Sequence, residues 1–275
     1  MYILAIESSG NVASAAVAED SKILAEYTVN IGKTHSQTLL PMIDRVLTDA
    51  EMSVNDMDAV AVSRGPGSFT GLRIGSATAK GLAASAGIPI VDVPTLEALA
   101  VGVGNAGGRL ICPVIDARRN EVYTALYEEV LPDNVENPED STYKGKASQS
   151  VSDESDDKAG GKKSACTASG LLRQIGEERA LSMEALLEEL MTMNRDVVFV
   201  GDALRIHKER IKSVGRDRFT IAPLSAWDLR AGCVATVGLN MLKEGKSIES
   251  SDHTPVYLRL SSAERERLEQ GKTIE

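Results

Sequence analysis

Residues 64–75, Arg-Gly-Pro-Gly-Ser-Phe-Thr-Gly-Leu-Arg-Ile-Gly, constrain this chain more than any other stretch. Ahead of them Ala59-Val60-Ala61-Val62 reads as a short strand. Behind them residues 76–86 are small and helix-compatible, closed by Gly87 and Pro89. The expectation is strand, glycine turn, helix. Gly65 and Gly67 free the turn for positive φ, and Pro66 stiffens it. Gly71, Gly75, Ala79 and Ala83 then recur every four residues, so one ridge of the helix carries almost no side chain. Each interior glycine costs about 1 kcal/mol relative to alanine. Close approach of another backbone would offset that cost. The backbone is either this protein's own sheet or a partner helix, and both readings stay open at this point.

A glycine turn that opens a helix also presents free N–H groups to an anion. The P-loop spacing is absent here, because no lysine follows the glycines and Arg73 lies inside the helix. G-x-G-x-x-G fails at Thr70. Nucleotide binding by this loop alone is disfavoured.

With 275 residues, 43% of them hydrophobic, the chain can build a real core in one large or two small domains. Only 4% are aromatic, and alanine, glycine and valine are abundant, as close helix–sheet packing requires. The net charge of −10 repels nucleic acid at long range, so a grip on tRNA or DNA by this chain alone is not expected. Cys112, Cys166 and Cys233 are far apart and predict reduced thiols. The N-terminus lacks a basic leader and reads as no signal peptide. No apolar run approaches 18 residues, so no membrane span is expected. These features predict a cytoplasmic protein.

Residues 2–6, 13–18 and 22–30 predict a three-strand meander whose first turn, Glu7-Ser8-Ser9-Gly10-Asn11, is polar. Thr34-His35-Ser36-Gln37 fits a capping box, and apolar residues from Leu39 to Ala50 follow at helical spacing, with Pro41 expected to kink the start. After the glycine-loop helix come a strand at 88–93 and a helix at 95–101 capped by Thr95. The order β-β-β-α-β-α-β-α is one mixed α/β unit. Strands at 110–115 and 121–127 flank a turn at Asp116-Ala117-Arg118-Arg119-Asn120 and open a second set. Residues 132–168 are polar and charged and read as a mobile surface insertion. Helices at 183–193, 205–214 and 226–243 (the last holding Trp227), short strands at 196–200 and 219–222, and an extended tail at 255–259 complete the reading.

His35, His207 and His253 share no zinc spacing, and G-x-S-x-G is absent. His35 is expected at a helix terminus, His207 in solvent and His253 in a loop. Ser8 and Ser9 have no base marked beside them. Glu7, Asp92 and Asp116 are conceivable acid–base groups, though an aspartate at a strand end is more often a turn residue.

The meander, the alternating elements and the second similar set resemble the duplicated actin-like, hexokinase-like ATPases, an α/β fold of ribonuclease H-like halves. Leu4-Ala5-Ile6-Glu7-Ser8-Ser9, His35-Ser36-Gln37-x-Leu39-Leu40-Pro41, residues 64–75, Ile115-Asp116-Ala117-Arg118, Glu121-Val122-Tyr123 and Pro255-Val256-Tyr257-Leu258-Arg259 together resemble the TsaB family. The resemblance covers about 1–128 and 169–260. It implies two subdomains, one of 1–104 plus about 226–260 and one of 105–225 holding the insertion at about 133–168. It also implies a non-catalytic subunit of the bacterial tRNA threonylcarbamoyladenosine machinery, which pairs with TsaD, the catalytic paralogue. A TsaE-like ATPase and tRNA would be met only through that complex, and a homodimer is plausible when the partner is missing. TsaD carries a metal-binding H-x-E-x-H, whereas this chain reads Thr95-Leu96-Glu97-Ala98-Leu99. TsaD's second phosphate loop is glycine-rich, whereas Ile115-Asp116-Ala117-Arg118-Arg119 has no glycine. Where TsaD has a glycine pair, Val200-Gly201-Asp202 keeps one. The resemblance therefore implies no catalytic residue, no metal and no cofactor. The implied partner interface comprises His35, Leu39, Leu40, Ile43, Phe69, Thr70, Gly71, Arg73, Gly75 and Ala79. The competing expectations are an autonomous small-molecule kinase or ATPase of the same fold, and a metalloprotease, which lacks any ligand spacing.

Overall fold

The computed structural model describes residues 1–20, 22–130, 164–166 and 170–259. Its first sheet has the order β3-β2-β1-β4-β5, built from β1 (Tyr2–Glu7), β2 (Ala13–Glu19), β3 (Lys22–Val29), β4 (Ala59–Gly65) and β5 (Ile90–Pro94). The meander is antiparallel, and β4 and β5 run parallel to β1. β1 is central and covered on both faces, which is why it reads as an unbroken apolar run. Successive side chains go to opposite faces. Leu4, Ile6, Val17, Val60 and Val62 pack with Leu39, Ile43 and Val46 of α1 (His35–Asp49) and Ala79 and Ala83 of α2 (Phe69–Ala86). Ile3, Ala5, Ala16, Ala18, Ala59 and Ala61 pack on the other face with α6 (Ala231–Lys243). That second face is rich in alanine, with Val91 and Val93 from β5 at its edge, and α6 approaches it closely. A Cβ on Gly238 would lie 2.8 Å from the Ala61 Cβ.

The second sheet comprises β6 (Leu110–Asp116), β7 (Glu121–Glu129), β8 (Ser164–Cys166), β9 (Leu172–Ser182), β10 (Val197–Val200) and β11 (Phe219–Ile221), in the order β11-β10-β6-β7-β9-β8. β6 pairs antiparallel with β7, β7 antiparallel with β9, and β10 and β11 extend the sheet in parallel. Apart from the edge strand β8, this repeats the order and directions of the first sheet. The fold is the duplicated actin-like, hexokinase-like architecture. α4 (Met183–Thr192) and α5 (Leu204–Gly215) cover one face of this sheet. α3 (Thr95–Val101), which follows the first sheet in sequence, covers the other with Leu96, Leu99 and Ala100.

Several local expectations are corrected. Thr34 precedes α1 but makes no side-chain cap; its hydroxyl lies 3.1 Å from the Ser36 hydroxyl. The capping box forms instead at Ser53 and Asp56, ahead of a 3-10 turn at Val54–Asp56. Thr95 is the first residue of α3 rather than its cap, because its Oγ1 accepts the Gly65 N–H at 3.0 Å. Trp227 lies outside α6, since the chain makes a separate 3-10 turn at Leu224–Ala226. His207 is 5% exposed, turned inward from α5. β9 escaped the sequence reading altogether. Its run Leu-Arg-Gln-Ile-Gly-Glu-Glu-Arg-Ala-Leu-Ser carries four charges, and most of its residues are half-buried rather than core. The expected insertion falls mostly outside the described residues, but residues 164–166 within it form β8 on β9.

The glycine turn is as expected at Gly65, whose φ is 116°, and the Gly65–Pro66 bond is cis. Gly67 has no positive φ; its missing Cβ matters because one would fall 2.5 Å from the Ser9 carbonyl oxygen. α2 is N-capped by Ser68, whose side chain accepts from Gly71 N at 3.3 Å, and ends on left-handed Gly87. Its small-residue ridge faces the chain's own first strand. Cβ atoms on Gly71 and Gly75 would collide with the Ser8 carbonyl and hydroxyl, and Ala79 and Ala83 are buried in the core. Of the two readings, packing on this protein's own sheet describes the ridge. Gly75→Leu should therefore destabilise the isolated chain by about 1–3 kcal/mol through overpacking, outweighing the gain in helix propensity. Thermal melting followed by circular dichroism measures this, and a mutant as stable as the parent would refute it.

Candidate functional site

The turn after β1 is the hub of the site. Ser8 Oγ donates to the Gly71 carbonyl at 2.9 Å, and Ser68 N donates to the Ser9 carbonyl at 2.6 Å. These bonds seat the glycine loop on the turn. The loop's other side is held by the C-terminal segment, where Val256 N donates to the Arg64 carbonyl at 2.7 Å. Gly65 has no room for a Cβ because the Val256 carbonyl lies against it.

Glu7 ends β1 and is 1% exposed. Ser9 N and Ser9 Oγ donate to its Oε1 at 2.6 and 2.5 Å, and Ser63 Oγ donates to its Oε2. Burial nevertheless pushes its pKa up to about 6, with the serine hydrogen bonds pulling the other way. Both carboxylate oxygens and the Ser9 hydroxyl are thus engaged with each other. Neither Ser8 nor Ser9 is poised as a nucleophile.

Between the two sheets lies a cleft of about 250 Å³. Its walls are the β1 turn (Ser9, Gly10, Asn11), the glycine loop (Gly67 to Thr70), the β6–β7 hairpin (Asp116, Ala117, Arg118), Asp202 and the tail (Tyr257, Leu258, Arg259). Glu7 and Asp116 end topologically equivalent strands. Asp116 N donates to Asp202 Oδ1 at 3.0 Å, and Asp116 Oδ1 accepts from Arg118 N at 2.8 Å. Burial raises the pKa of Asp202, and the hydrogen bond from the Asp116 backbone N–H pulls the other way. The hairpin turns through Arg118, Arg119 and Asn120, whose φ values of 66°, 54° and 63° are all left-handed. Two cations of the cleft are bound within the chain: Arg118 pairs with Asp116, and Arg259 of the tail donates to the Ala117 carbonyl at 3.1 Å and pairs with Glu121. The hairpin holds no glycine, and Asp116, Arg118, Arg259 and Glu121 neutralise one another around it.

Thr95 and Leu99 are buried, with Thr95 spent on Gly65 N and Leu99 in the core of the second sheet. Among the described residues, no group of three or more His, Cys, Asp or Glu side chains is arranged to hold a metal. His35 lies at the start of α1, half-buried, with Nε2 2.9 Å from the Gly10 carbonyl oxygen. His253 is 1% exposed and its Nδ1 meets Asp92 Oδ1. The sequence carried no signal for that contact, nor for Ser63 on Glu7; the partners are 161 and 56 residues apart.

The ten expected interface residues separate by exposure. Leu39, Ile43, Gly71, Gly75 and Ala79 are buried within the chain. His35 and Phe69 are half-buried, and Leu40, Thr70 and Arg73 are exposed. Arg73 lies 3.9 Å over the Phe69 ring, and that ring is 4.7 Å from Tyr257. The sequence reading had not placed Tyr257 in this group.

Glu7 gives a pH dependence whose sign follows from its raised pKa. Unfolded, it titrates near 4.5, and folded near 6. Between these values the folded chain holds the extra proton. The stabilisation is full below about pH 4.5 and lost as the pH rises through 6, by about 2 kcal/mol. Asp202 and Glu178 are shifted in the same direction by burial, so the slope of the parent should exceed that of Glu7→Gln without vanishing in the mutant. Denaturant unfolding of both proteins from pH 4 to 7 tests this; parallel curves would show that Glu7 is not buried as described.

The family model described as TsaD, tRNA N6-adenosine threonylcarbamoyltransferase, matches residues 22–266. The Bacillus subtilis tRNA threonylcarbamoyladenosine biosynthesis protein TsaB is 32% identical over 99% of this chain and 100% of its own length. The Escherichia coli protein of the same description is 29% identical, covering 94% and 95% of the two chains. A solved Pseudomonas aeruginosa protein, described as uncharacterized with similarity to peptidase YEAZ, superposes with a TM-score of 0.69 at 25% identity, over 94% of this chain and 99% of that one. By full-length identity as well as by fold, this chain belongs to the TsaB family of tRNA threonylcarbamoyladenosine biosynthesis proteins.

Proposed function

We propose that the chain is the non-catalytic scaffold that pairs with a TsaD-like catalytic paralogue, activating it for threonylcarbamoyl modification of the tRNA adenosine beside the anticodon. The carrying observation is the outer surface of α1 and α2. The two helices pack side by side on the first sheet. Leu40, 56% exposed, stands next to exposed Pro41, with Thr70 and Arg73 on the neighbouring helix. A large exposed apolar side chain on a rigid helix pair fits the centre of a docking face. The buried members of the expected set, Leu39, Ile43, Gly71, Gly75 and Ala79, hold that face in shape rather than touch a partner. The negative charge of the chain leaves tRNA to the complex, and a TsaE-like ATPase joins through the complex as well. Without its paralogue the same face supports a homodimer. The two lobes of the scaffold are residues 1–104 plus about 226–260 and residues 105–225.

The second reading, an autonomous kinase or ATPase, rests on the interdomain cleft. It is weakened by the hairpin without glycine and by cations already paired within the chain. Among the described residues no helix is long and apolar enough to cross a membrane, which leaves the protein free to meet a partner away from one.

Leu40→Asp should leave the melting temperature of the isolated chain unchanged. It should weaken capture of the paralogue at least tenfold, because a charge at an interface centre costs roughly 2 kcal/mol or more. A pull-down with the purified paralogue checks this, and normal capture by the mutant would move the docking face elsewhere. A magnesium–ATP titration of the isolated chain separates the two readings. Micromolar binding with turnover would replace the scaffold by the enzyme.

A further inference from the structure

Residues 248–259 cross the molecule from one lobe to the other. Ile248 starts the crossing by exchanging two 2.9 Å backbone hydrogen bonds with Ile90. Lys80 Nζ then donates to the Ser251 carbonyl at 3.2 Å, and buried His253 meets Asp92 of β5. Val256 N reaches the Arg64 carbonyl at the end of β4. All of these anchors belong to the first sheet and its helices. The next side chain, Tyr257, stacks on Phe69 with ring centroids 4.7 Å apart, and its hydroxyl accepts from Arg73 Nε at 3.4 Å. Two residues later Arg259 is fixed to the second lobe, through the Ala117 carbonyl and Glu121 of the β6–β7 hairpin.

We propose that this segment is a strap that couples the width of the interdomain cleft to the exposed face of α2. Its two fixed ends, Val256 and Arg259, are held by opposite lobes and are three residues apart. Three residues of chain span at most about 10–11 Å, and this link is bent at Leu258 and Arg259, so opening of the cleft first straightens it and then loads it. The weakest hold between the ends is that of Tyr257, 39% exposed and kept in place by a ring contact and a long hydrogen bond. Opening of the cleft draws Tyr257 from Phe69 and releases Arg73, which bridges the two rings. Closing seats all three. Phe69 and Arg73 belong to the docking face, so the regulatory consequence rests on the scaffold reading above; the mechanical coupling does not.

Arg259→Ala cuts the strap from the second lobe without touching the docking face. Hydrogen exchange followed by mass spectrometry on the isolated full chain should show peptides covering 69–73 and 256–257 exchanging about tenfold faster, with β1 and α6 unchanged. Affinity for the purified paralogue should fall about tenfold, roughly 1.4 kcal/mol. Tyr257→Ala should produce a similar loss, and adding Arg259→Ala to it should cost nothing further, because the two act in series. Unchanged exchange at 69–73 in Arg259→Ala, or additive losses in the double mutant, would overturn the coupling. Leu40→Asp is the control. If it binds the paralogue normally, the docking reading falls, while the exchange result still decides whether the strap transmits.

Discussion

Everything in this molecule depends on how closely α2 lies on the turn after β1. Ser8 and Ser9 place carbonyl and hydroxyl groups where side chains of the helix would otherwise stand, and Gly67, Gly71 and Gly75 leave the space for them. That approach fixes the start of α2, and with it the positions of Phe69, Thr70 and Arg73. It also seals the floor of the cleft. The helix-propensity cost of the two interior glycines is offset by the close packing of the helix on the turn and by the Ser8 hydroxyl's hydrogen bond to the Gly71 carbonyl. The same contact explains the carboxylate beneath it. Glu7 is held by Ser9 from the turn and Ser63 from β4, so its partial neutralisation by burial belongs to the architecture rather than to a reaction.

Much of this was legible in the chain. The meander, the strand–turn–helix at Gly65 and the second similar set follow from short-range patterns that read the same in sequence and in space. The ridge of small residues was legible too, but its direction was not. Spacing shows that something comes close, and only the fold shows that the something is Ser8. Strand β9 was missed because it is charged and half-buried, so its pairing depends on β7 rather than on a pattern of its own. The hydroxyl of Thr95 looked like a helix cap and bonds Gly65 instead, a partner 30 residues away. His207 looked solvated because its neighbours in sequence are charged, yet it occupies the inward side of its helix. Contacts of long sequence separation, such as His253 with Asp92 and Tyr257 with Phe69, leave no local trace.

The electrostatics of the cleft follow the same logic of internal satisfaction. Asp116, Asp202, Arg118, Arg259 and Glu121 are bound to one another or to backbone groups around a left-handed hairpin. A site meant to grip a phosphate would keep its donors free for the ligand. Here they hold the hairpin to the tail and to the neighbouring strand.

One feature of the duplication bears on how the protein comes into being. Each half lends a helix to the other: α3 follows the first sheet but closes the core of the second, and α6 follows the second sheet but covers the alanine face of the first. Neither half can finish its own interior from its own sequence. A ribosome that has released only the first hundred residues has made a sheet with one bare face, and it stays bare until residues 231–243 have emerged. The interior of each half therefore depends on chain from the other, and α6, the last helix among the described residues, completes the first sheet to be made.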